Sequence, residues 1–314
     1  MPSKLTVRQF FERFPSDDAC LDHIMEVRFG MRHECVKCHK DATFHRMQGR
    51  KAYSCAQCGA HLYPCADTIF KDSRTSLQSW FYAIYLFVAT RHGVSGKELE
   101  RTLGVTYKTA YRMGQQIRDL MKKADGFEML QGHVELDETY VGGYRPGKRG
   151  RGAAGKTIVM GLAERGGRVH AEVIQNVWKT TLQDVVARNV EPGTTVSTDE
   201  LYSYGLLTGD GYKHGRVKHS AKQYAKTEDG IRHHTNSIEG FWRLFKNSVR
   251  STHIHVSDKH MERYLGEFTF RSNHRQMENA MFDLLIGALQ APLSRQLKTA
   301  RHRWGLCRAL LPVR

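Results

Sequence analysis

The sequence predicts an α/β protein whose C-terminal half is built on a mixed β-sheet. Between His133 and Gly143, apolar residues alternate with acids, which is typical of a strand with one buried face. Two CxxC pairs lie upstream, and a helical spacing of apolar residues fills residues 75–123. The expected order is a helical segment (residues 1–30), a cysteine-rich ribbon (31–70), a helix-turn-helix (71–125), the sheet domain (126–290) and a basic tail (291–314).

The composition favours a polyanionic partner. The chain has 314 residues, 40% of them hydrophobic, which is enough for two or three modules with packed cores. Lys and Arg outnumber Asp and Glu by 48 to 32, and the formal net charge of +16 makes nucleic acid the expected ligand. A membrane surface is the competing partner, but no apolar run approaches the roughly 18 residues of a spanning helix. Residues 1–7 show no apolar signal core, so we expect a cytoplasmic protein.

The N-terminal segment predicts two short helices. Phe14, Pro15 and Ser16 separate two amphipathic stretches, and Ser16 with the acids after it suits a helix start. Packing and direct DNA contact both remain open as roles for this segment.

The two CxxC pairs predict a structural zinc site. Sixteen residues separate the pairs, which is within the spacing of four-thiolate ribbons. A module this small lacks a sufficient core, so metal binding would supply its folding energy. In a cytoplasmic protein, cysteines are thiols or metal ligands before they are disulfides. The predicted ligands are Cys35, Cys38, Cys55 and Cys58.

Residues 95–123 predict a helix-turn-helix. Ser95 and Glu98 match a capping box, Gly104 ends the first helix, and Thr106 caps the second. Such helix pairs serve either as scaffolding or as DNA readers, in which case the second helix enters a groove. The side chains predicted to contact DNA are Lys108, Arg112 and Arg118.

A glycine-rich basic stretch follows the first strand of the sheet domain. Residues 144–156 contain five basic residues, four glycines and no acid, so we expect an exposed loop, either inert or in contact with phosphate. Because the loop directly follows Asp137, phosphate contact is the favoured role. The cations concerned are Arg145, Lys148, Arg149, Arg151 and Lys156.

The remaining pattern brings two aspartates together. A strand pair around Arg165-Gly166-Gly167, a crossover helix and a β-branched run ending at Asp199 complete a β-β-β-α-β order. If the first and fourth strands are neighbours, Asp137 and Asp199 converge at the ends of their strands. Glu135, Glu138 and Glu200 are expected to support the ligands or to face solvent.

A third acid is carried by an amphipathic helix that begins near Asn236. At about 100° per residue, Asn236, Glu239, Arg243 and Lys246 share one stripe beside an apolar face. Glu239 can therefore face the aspartates while Lys246 lies near a bound phosphate and Arg243 near DNA. Between Asp137 and Asp199 lie 61 residues, and between Asp199 and Glu239 lie 39.

These motifs together resemble a group of bacterial insertion-sequence transposases that carry an N-terminal zinc ribbon and are related to the eukaryotic Merlin elements. The resemblance covers roughly residues 5–285 and is carried by four strings. They are Glu135 to Gly143, Thr198-Asp199, His234 to Trp242 with Lys246, and His255 to His260 with Tyr264, Glu267-Phe268 and Phe270-Arg271.

The resemblance implies a ribonuclease-H-like DDE domain, two Mg²⁺ or Mn²⁺ ions, and the terminal inverted repeats of the element as substrate. Two ions about 4 Å apart can activate water and stabilise a leaving 3′-oxygen. Asp137 would bridge them, with Asp199 and Glu239 holding one each. Members of the group replace the third acid by asparagine or histidine, so Asn236 is the alternative ligand. A homodimer or higher homo-oligomer is expected from the reaction class, with target DNA as a partner besides the inverted repeats.

Two other functions compete with an active transposase. One is a zinc-ribbon DNA-binding regulator on an inactive core, and the other is a metal-dependent nuclease without strand transfer. The tail has six Lys or Arg residues after residue 294. We expect it either to dock on the protein or to bind DNA.

Overall fold

The computed structural model describes residues 5–142, 155–277 and 280–289. It divides into two compact units. Residues 6–81 and 283–289 belong to the ribbon unit, and the described residues between 82 and 282 belong to the sheet unit. Nowhere in the described ranges is a helix both long and apolar enough to span a membrane. The loop cations Arg145, Lys148, Arg149 and Arg151 and the tail 291–314 lie outside the described residues.

The ribbon unit begins with two capped helices and continues into a small antiparallel sheet. The Thr6 and Ser16 side chains accept hydrogen bonds from the first turns of the helices, as expected for N-caps. Buried aromatic rings such as Phe14 and Phe81, 4.9 Å apart, form its core. The elements are α1 (Val7–Arg13), α2 (Asp17–Arg28), β1 (Arg32–Glu34), β2 (Asp41–Arg46), β3 (Tyr53–Cys55) and β4 (His61–Leu62), followed by α3 (Leu77–Ala89), which contains the unit boundary.

In the sheet unit, α3 is followed by the predicted helix pair, α4 (Gly96–Leu103) and α5 (Tyr107–Asp125). Ser95 accepts from the Glu98 amide at 3.1 Å, and Thr106 caps α5. Gly104 ends α4 with φ of 64°, a left-handed conformation that glycine adopts without a steric penalty. The local signals of this region are therefore confirmed.

A five-stranded mixed sheet follows, in the order β7-β6-β5-β8-β9. The first three strands are antiparallel neighbours, whereas β8 and β9 run parallel to β5. The first and fourth strands are therefore adjacent, as predicted. The bounds are β5 (His133–Val141), β6 (Thr157–Glu164), β7 (Val169–Ile174), α6 (Lys179–Asn189), β8 (Thr195–Thr198) and β9 (Lys213–Arg216).

Among the last elements of the chain, two helices pack on the sheet. A short hairpin, β10 (Lys226–Glu228) and β11 (Ile231–His233), precedes α7 (Asn236–Ser248). A π-helical turn (Val249–His253) links α7 to α8 (Asp258–Asn273), and α9 (Met281–Gly287) follows.

Alternate side chains of β5 point to opposite faces of the sheet, and each face packs in a different core. Val134 and Leu136 pack in a core with α6, while Val141 packs in a second core with α7 and α8. Asp137, at an odd position like Val141, therefore belongs to the face covered by α7. The sheet domain thus delivers its first predicted acid beneath the helix that carries the third.

Candidate active site

Asp137 and Asp199 occupy equivalent positions on neighbouring parallel strands. Glu135 on β5 pairs with Ser197 on β8, so the same register places Asp137 opposite Asp199 two residues later. Neighbouring strands lie about 4.8 Å apart, which brings the two carboxylates to one edge. β5 itself does not end at the acids, as the sequence suggested, but continues to Val141 because it remains paired with β6.

Helix α7 approaches the sheet directly over Asp137. The partner of Asp137 on β6 is Gly161. A Cβ atom at Gly161 would lie 2.4 Å from Trp242 Cζ2 and 2.6 Å from Ile238 Cδ1, so only a glycine permits this close packing. Ile238 precedes Glu239, and the docking of α7 therefore brings the third acid towards the aspartates.

The N-terminus of α7 is anchored by the fully buried carboxylate of Glu135. The backbone amides of Ser237 and Ile238 donate to Glu135 Oε2 at 2.7 and 3.3 Å. Arg165 Nε at 2.8 Å and His234 Nδ1 at 2.9 Å contact the other oxygen. An acid at a helix N-terminus is favoured by the helix dipole. Glu135 therefore links the strand of Asp137 to the helix of Glu239, which is the supporting role considered for it.

The acids create a strongly negative environment around Asp137. Burial, together with the nearby Glu138, Asp199 and Glu239, raises the pKa of Asp137 to about 8 against the opposing effect of Lys246. The pKa of Lys246 is lowered by burial, although Asp137 opposes this shift. Three acids and one lysine of the predicted set thus act on one another.

The carboxylates are near neighbours without forming a single tight cluster. Across the described part of the chain, the group whose ligand atoms all lie within 4.8 Å of one another consists of four cysteines. Glu239 is half-exposed and accepts from Thr235 Oγ1 at 2.7 Å, with His219 Nε2 at 3.9 Å. Asn236, the alternative ligand, is exposed at the first residue of α7.

Two neighbouring acids are engaged by other groups. The Tyr204 hydroxyl donates to Glu138 Oε2 at 3.0 Å from a fully buried position. Ser220 donates to Glu200 through its amide and its hydroxyl, at 3.2 and 2.6 Å. The loop that carries His219 and Ser220 therefore reaches both Glu239 and Glu200. No pattern in the sequence predicted this loop.

The four predicted zinc ligands form the closely packed cysteine group. Cys35 and Cys58 Sγ lie 3.7 Å apart. Tetrahedral Zn–S bonds of about 2.3 Å imply S···S distances of about 3.8 Å, so the geometry fits one zinc ion. Backbone N–H groups of Cys38 and Lys37 lower the pKa of Cys35 to about 6, which favours the thiolate.

The predicted DNA contacts differ in their accessibility. Lys108 and Arg112 on α5 and Arg243 on α7 are exposed, and Lys156 is half-buried. Arg118 is only 3% exposed, and its Nε lies 2.7 Å from Glu267 Oε2. The prediction that Arg118 faces a DNA groove is therefore wrong, because its charge is used inside the protein.

Comparison with protein families agrees with this architecture. Residues 129–273 match the model of an ISXO2-like transposase domain, and residues 15–61 match a transposase zinc-ribbon domain. The chain therefore carries a transposase domain of this kind behind a transposase zinc ribbon. The two matches together cover more than half of the transposase, and the first includes Asp137, Asp199 and Glu239. No curated protein matches its sequence.

Two solved structures resemble the transposase at low identity. The Mos1 strand transfer complex is 10% identical, with 67% of this chain and 78% of that chain covered and a TM-score of 0.27. A pre-cleavage Mos1 transpososome is 11% identical, with 67% and 79% covered and a TM-score of 0.27.

The predicted resemblance to insertion-sequence transposases is thus confirmed, as is a mixed-sheet α/β core behind an N-terminal zinc ribbon. The protein is a DNA transposase, and its ribbon carries a structural zinc site.

Proposed function

We propose that this transposase binds the terminal inverted repeats of its element and performs metal-dependent cleavage and strand transfer with Asp137, Asp199 and Glu239. The observation that carries the proposal is the shared register of Asp137 and Asp199, with α7 docked on Gly161 beside them. Three acids far apart in sequence thereby act on one site.

The donor set suits Mg²⁺ or Mn²⁺. Magnesium binds through few carboxylates and keeps several waters, so a sparse and half-open constellation is sufficient. The uncompensated charge around buried Asp137 also favours a cation there. When bound, a pair of divalent ions would activate the attacking water or 3′-hydroxyl and stabilise the leaving 3′-oxygen.

The residues of the chain divide the remaining work. Asp137, whose carboxyl group interacts electrostatically with both Asp199 and Glu239, would serve both ions, and Asp199 and Glu239 would hold one each. Thr235 orients the Glu239 carboxylate through its hydroxyl. Lys246, two turns along α7 on the same face as Glu239, is placed to hold a DNA phosphate. Asn236 is the substitute third ligand if Glu239 proves dispensable.

We further propose that α5 reads the DNA end. Its exposed Lys108 and Arg112 can contact phosphates or base edges, and Arg243 and Lys156 extend a basic surface towards the acids. The loop cations Arg145, Lys148, Arg149 and Arg151 are proposed to add phosphate contacts. Because an element has two ends, we propose a homodimer as the active form.

The test uses the full-length zinc-loaded protein and duplexes from the DNA directly upstream and downstream of its coding sequence. Asp137→Asn, Asp199→Asn and Glu239→Gln should each reduce Mg²⁺-dependent cleavage by at least about 100-fold without changing DNA affinity. Glu200→Gln is the matched control, because that exposed acid adjoins Asp199 but is bound to Ser220. Cleavage that survives in Glu239→Gln and is lost in Asn236→Ala would transfer the third role to Asn236.

A second assay separates strand transfer from hydrolysis. Pre-cleaved ends with free 3′-hydroxyls should join to a supercoiled plasmid in the presence of Mg²⁺. Cleavage without joining would identify a nuclease, and binding without divalent-dependent cleavage would identify a regulator.

A further inference from the structure

The segment between α3 and α4, residues 90–94, is hydrogen-bonded to three helices of the sheet unit. Its alternate carbonyl oxygens each accept a hydrogen bond from a different helix, so the segment cannot shift without breaking all three contacts. The contacts are Arg271 of α8 to the Thr90 carbonyl, Ser248 Oγ of α7 to the His92 carbonyl at 2.6 Å, and Arg118 Nη2 of α5 to the Val94 carbonyl at 2.9 Å.

One buried carboxylate holds both arginines of this arrangement. Glu267 on α8 is fully buried, with Oε2 at 2.7 Å from Arg118 Nε and Oε1 at 2.7 Å from Arg271 Nη2. Such a cluster is weak evidence for stability, because desolvation offsets much of the attraction. Its fixed hydrogen-bond directions instead define one relative position for α5 and α8.

Gly93 shows how closely the segment passes the end of α7. Its φ is 80°, and a Cβ there would lie 2.9 Å from His253 Nε2 and 3.0 Å from Glu267 Oε1. His253 ends the π-helical turn that follows α7. The segment before the helix-turn-helix is therefore in contact with the helix that carries Glu239.

Further pairs fix α5 to α8 and α8 to the sheet. Lys122 Nζ lies 2.6 Å from Glu262, and Arg263 Nε lies 2.8 Å from Asp119. Glu262 also accepts from the Val173 amide of the edge strand β7 at 2.7 Å. The frame is thus continuous from α5 through α8 to the sheet that carries Asp137.

We propose that Arg118, Ser248, Glu267 and Arg271, acting through residues 90–94, determine which phosphodiester of a bound DNA end is cut. This inference rests on the proposed function, in which α5 grips the end and α7 carries Glu239 and Lys246. Successive nucleotides of a strand advance about 3.4 Å along B-DNA. A displacement of about that distance between α5 and α7 would bring a neighbouring phosphate to the acids, and about half of it would make two phosphates compete for them. The four side chains are positioning residues and touch no reacting atom.

Two variants test the inference and leave Asp137, Asp199 and Glu239 unchanged. Ser248→Ala removes only the hydroxyl that holds the His92 carbonyl. The triple variant Arg118→Met, Glu267→Leu and Arg271→Met replaces the buried charges together by apolar chains of similar volume, so that no unpaired charge remains. Thr269→Val is the matched control, because the buried Thr269 hydroxyl donates within α8 and does not reach the segment.

The measurement is the position of Mg²⁺-dependent cleavage, mapped at single-nucleotide resolution on the same flanking duplexes, with folding checked by thermal melting. We expect one cut site for the wild-type protein and Thr269→Val, and products displaced by about one nucleotide in both test variants. A merely structural role would change the amount of product but not its length. If folded Ser248→Ala protein cuts only at the wild-type position, whatever its cleavage rate, the inference is wrong. Wild-type protein that does not cut refutes the proposed function itself.

Discussion

Gly161→Ala offers a direct test of how the acids are brought together. The added Cβ would lie 2.4 Å from Trp242 Cζ2 on α7. Carbon atoms approach optimally at about 3.5 Å, so α7 must retreat by about 1 Å or its side chains must leave their rotamers. A misplacement of about 1 Å can cost about 100-fold in rate. We expect a loss of this size in single-turnover, Mg²⁺-dependent cleavage of prebound flanking DNA, with unchanged DNA affinity.

The matched control lies on α7 itself. A Cβ at Gly240 would meet no atom within 4 Å, so Gly240→Ala should preserve cleavage. Alanine also raises helix propensity by about 1 kcal/mol over glycine, and the control should melt no lower than wild type. If Gly161→Ala cleaves as fast as Gly240→Ala, the close approach of α7 at Gly161 does not set the geometry of the acids.

Three further predictions concern the anchor, the zinc site and acid stability. Glu135→Gln leaves Arg165 without its carboxylate and should cost about 3 kcal/mol in chemical denaturation while reducing cleavage more than DNA binding; unchanged stability would contradict the anchoring role. Cys38→Ser should lose the bound zinc in elemental analysis, whereas Cys65→Ser, buried outside the cluster, should retain it. Burial lowers the pKa of His253 to about 4, reinforced by Arg118 and Arg271 and opposed by Glu267. Because an unfolded histidine, with a pKa of about 6.5, binds more protons in this window, stability should fall as the pH drops from about 6.5 to 4. His253→Phe should flatten that melting profile, and an equally steep profile would exclude His253 as its source.

The locally encoded parts of the fold could be predicted from the sequence. The helix ends at Ser95, Gly104 and Thr106 depend only on neighbouring backbone groups. The alternation of apolar and acidic residues in β5 can likewise be read within the strand itself. β9 (Lys213–Arg216) was not predicted, because its polar residues show no alternation and its existence depends on pairing with β8. Gly215 shows the same dependence, since a Cβ there would lie 2.3 Å from the ring of His233, far along the chain.

The candidate site was predictable only as a set of acids. Asp137 and Asp199 follow from strand patterns, and Glu239 from helical periodicity, because each signal is local. The burial of Glu135 and its contact with the α7 amides depend on the docking of a helix about 100 residues later. The sequence shows Glu135 within a strand pattern and the start of a helix near Ser237. No pattern in the sequence indicates that the acid contacts the helix start.

The error at Arg118 shows how the sequence can mislead about a recognition helix. At 100° per residue, Arg118 lies within about 80° of the buried Ala110, whereas Lys108 and Arg112 lie on the opposite side. The apolar stripe was therefore sufficient to place Arg118 at the border of the buried face. What it could not show was that α5 packs on two partners, α4 and α8, which widens the buried face to include Gln115 and Arg118. A basic side chain at such a border can be buried if the second partner helix carries an acid that pairs with it. Here Glu267 of α8 pairs with Arg118. The distinction between a DNA contact and an internal tie therefore depends on a residue of another helix.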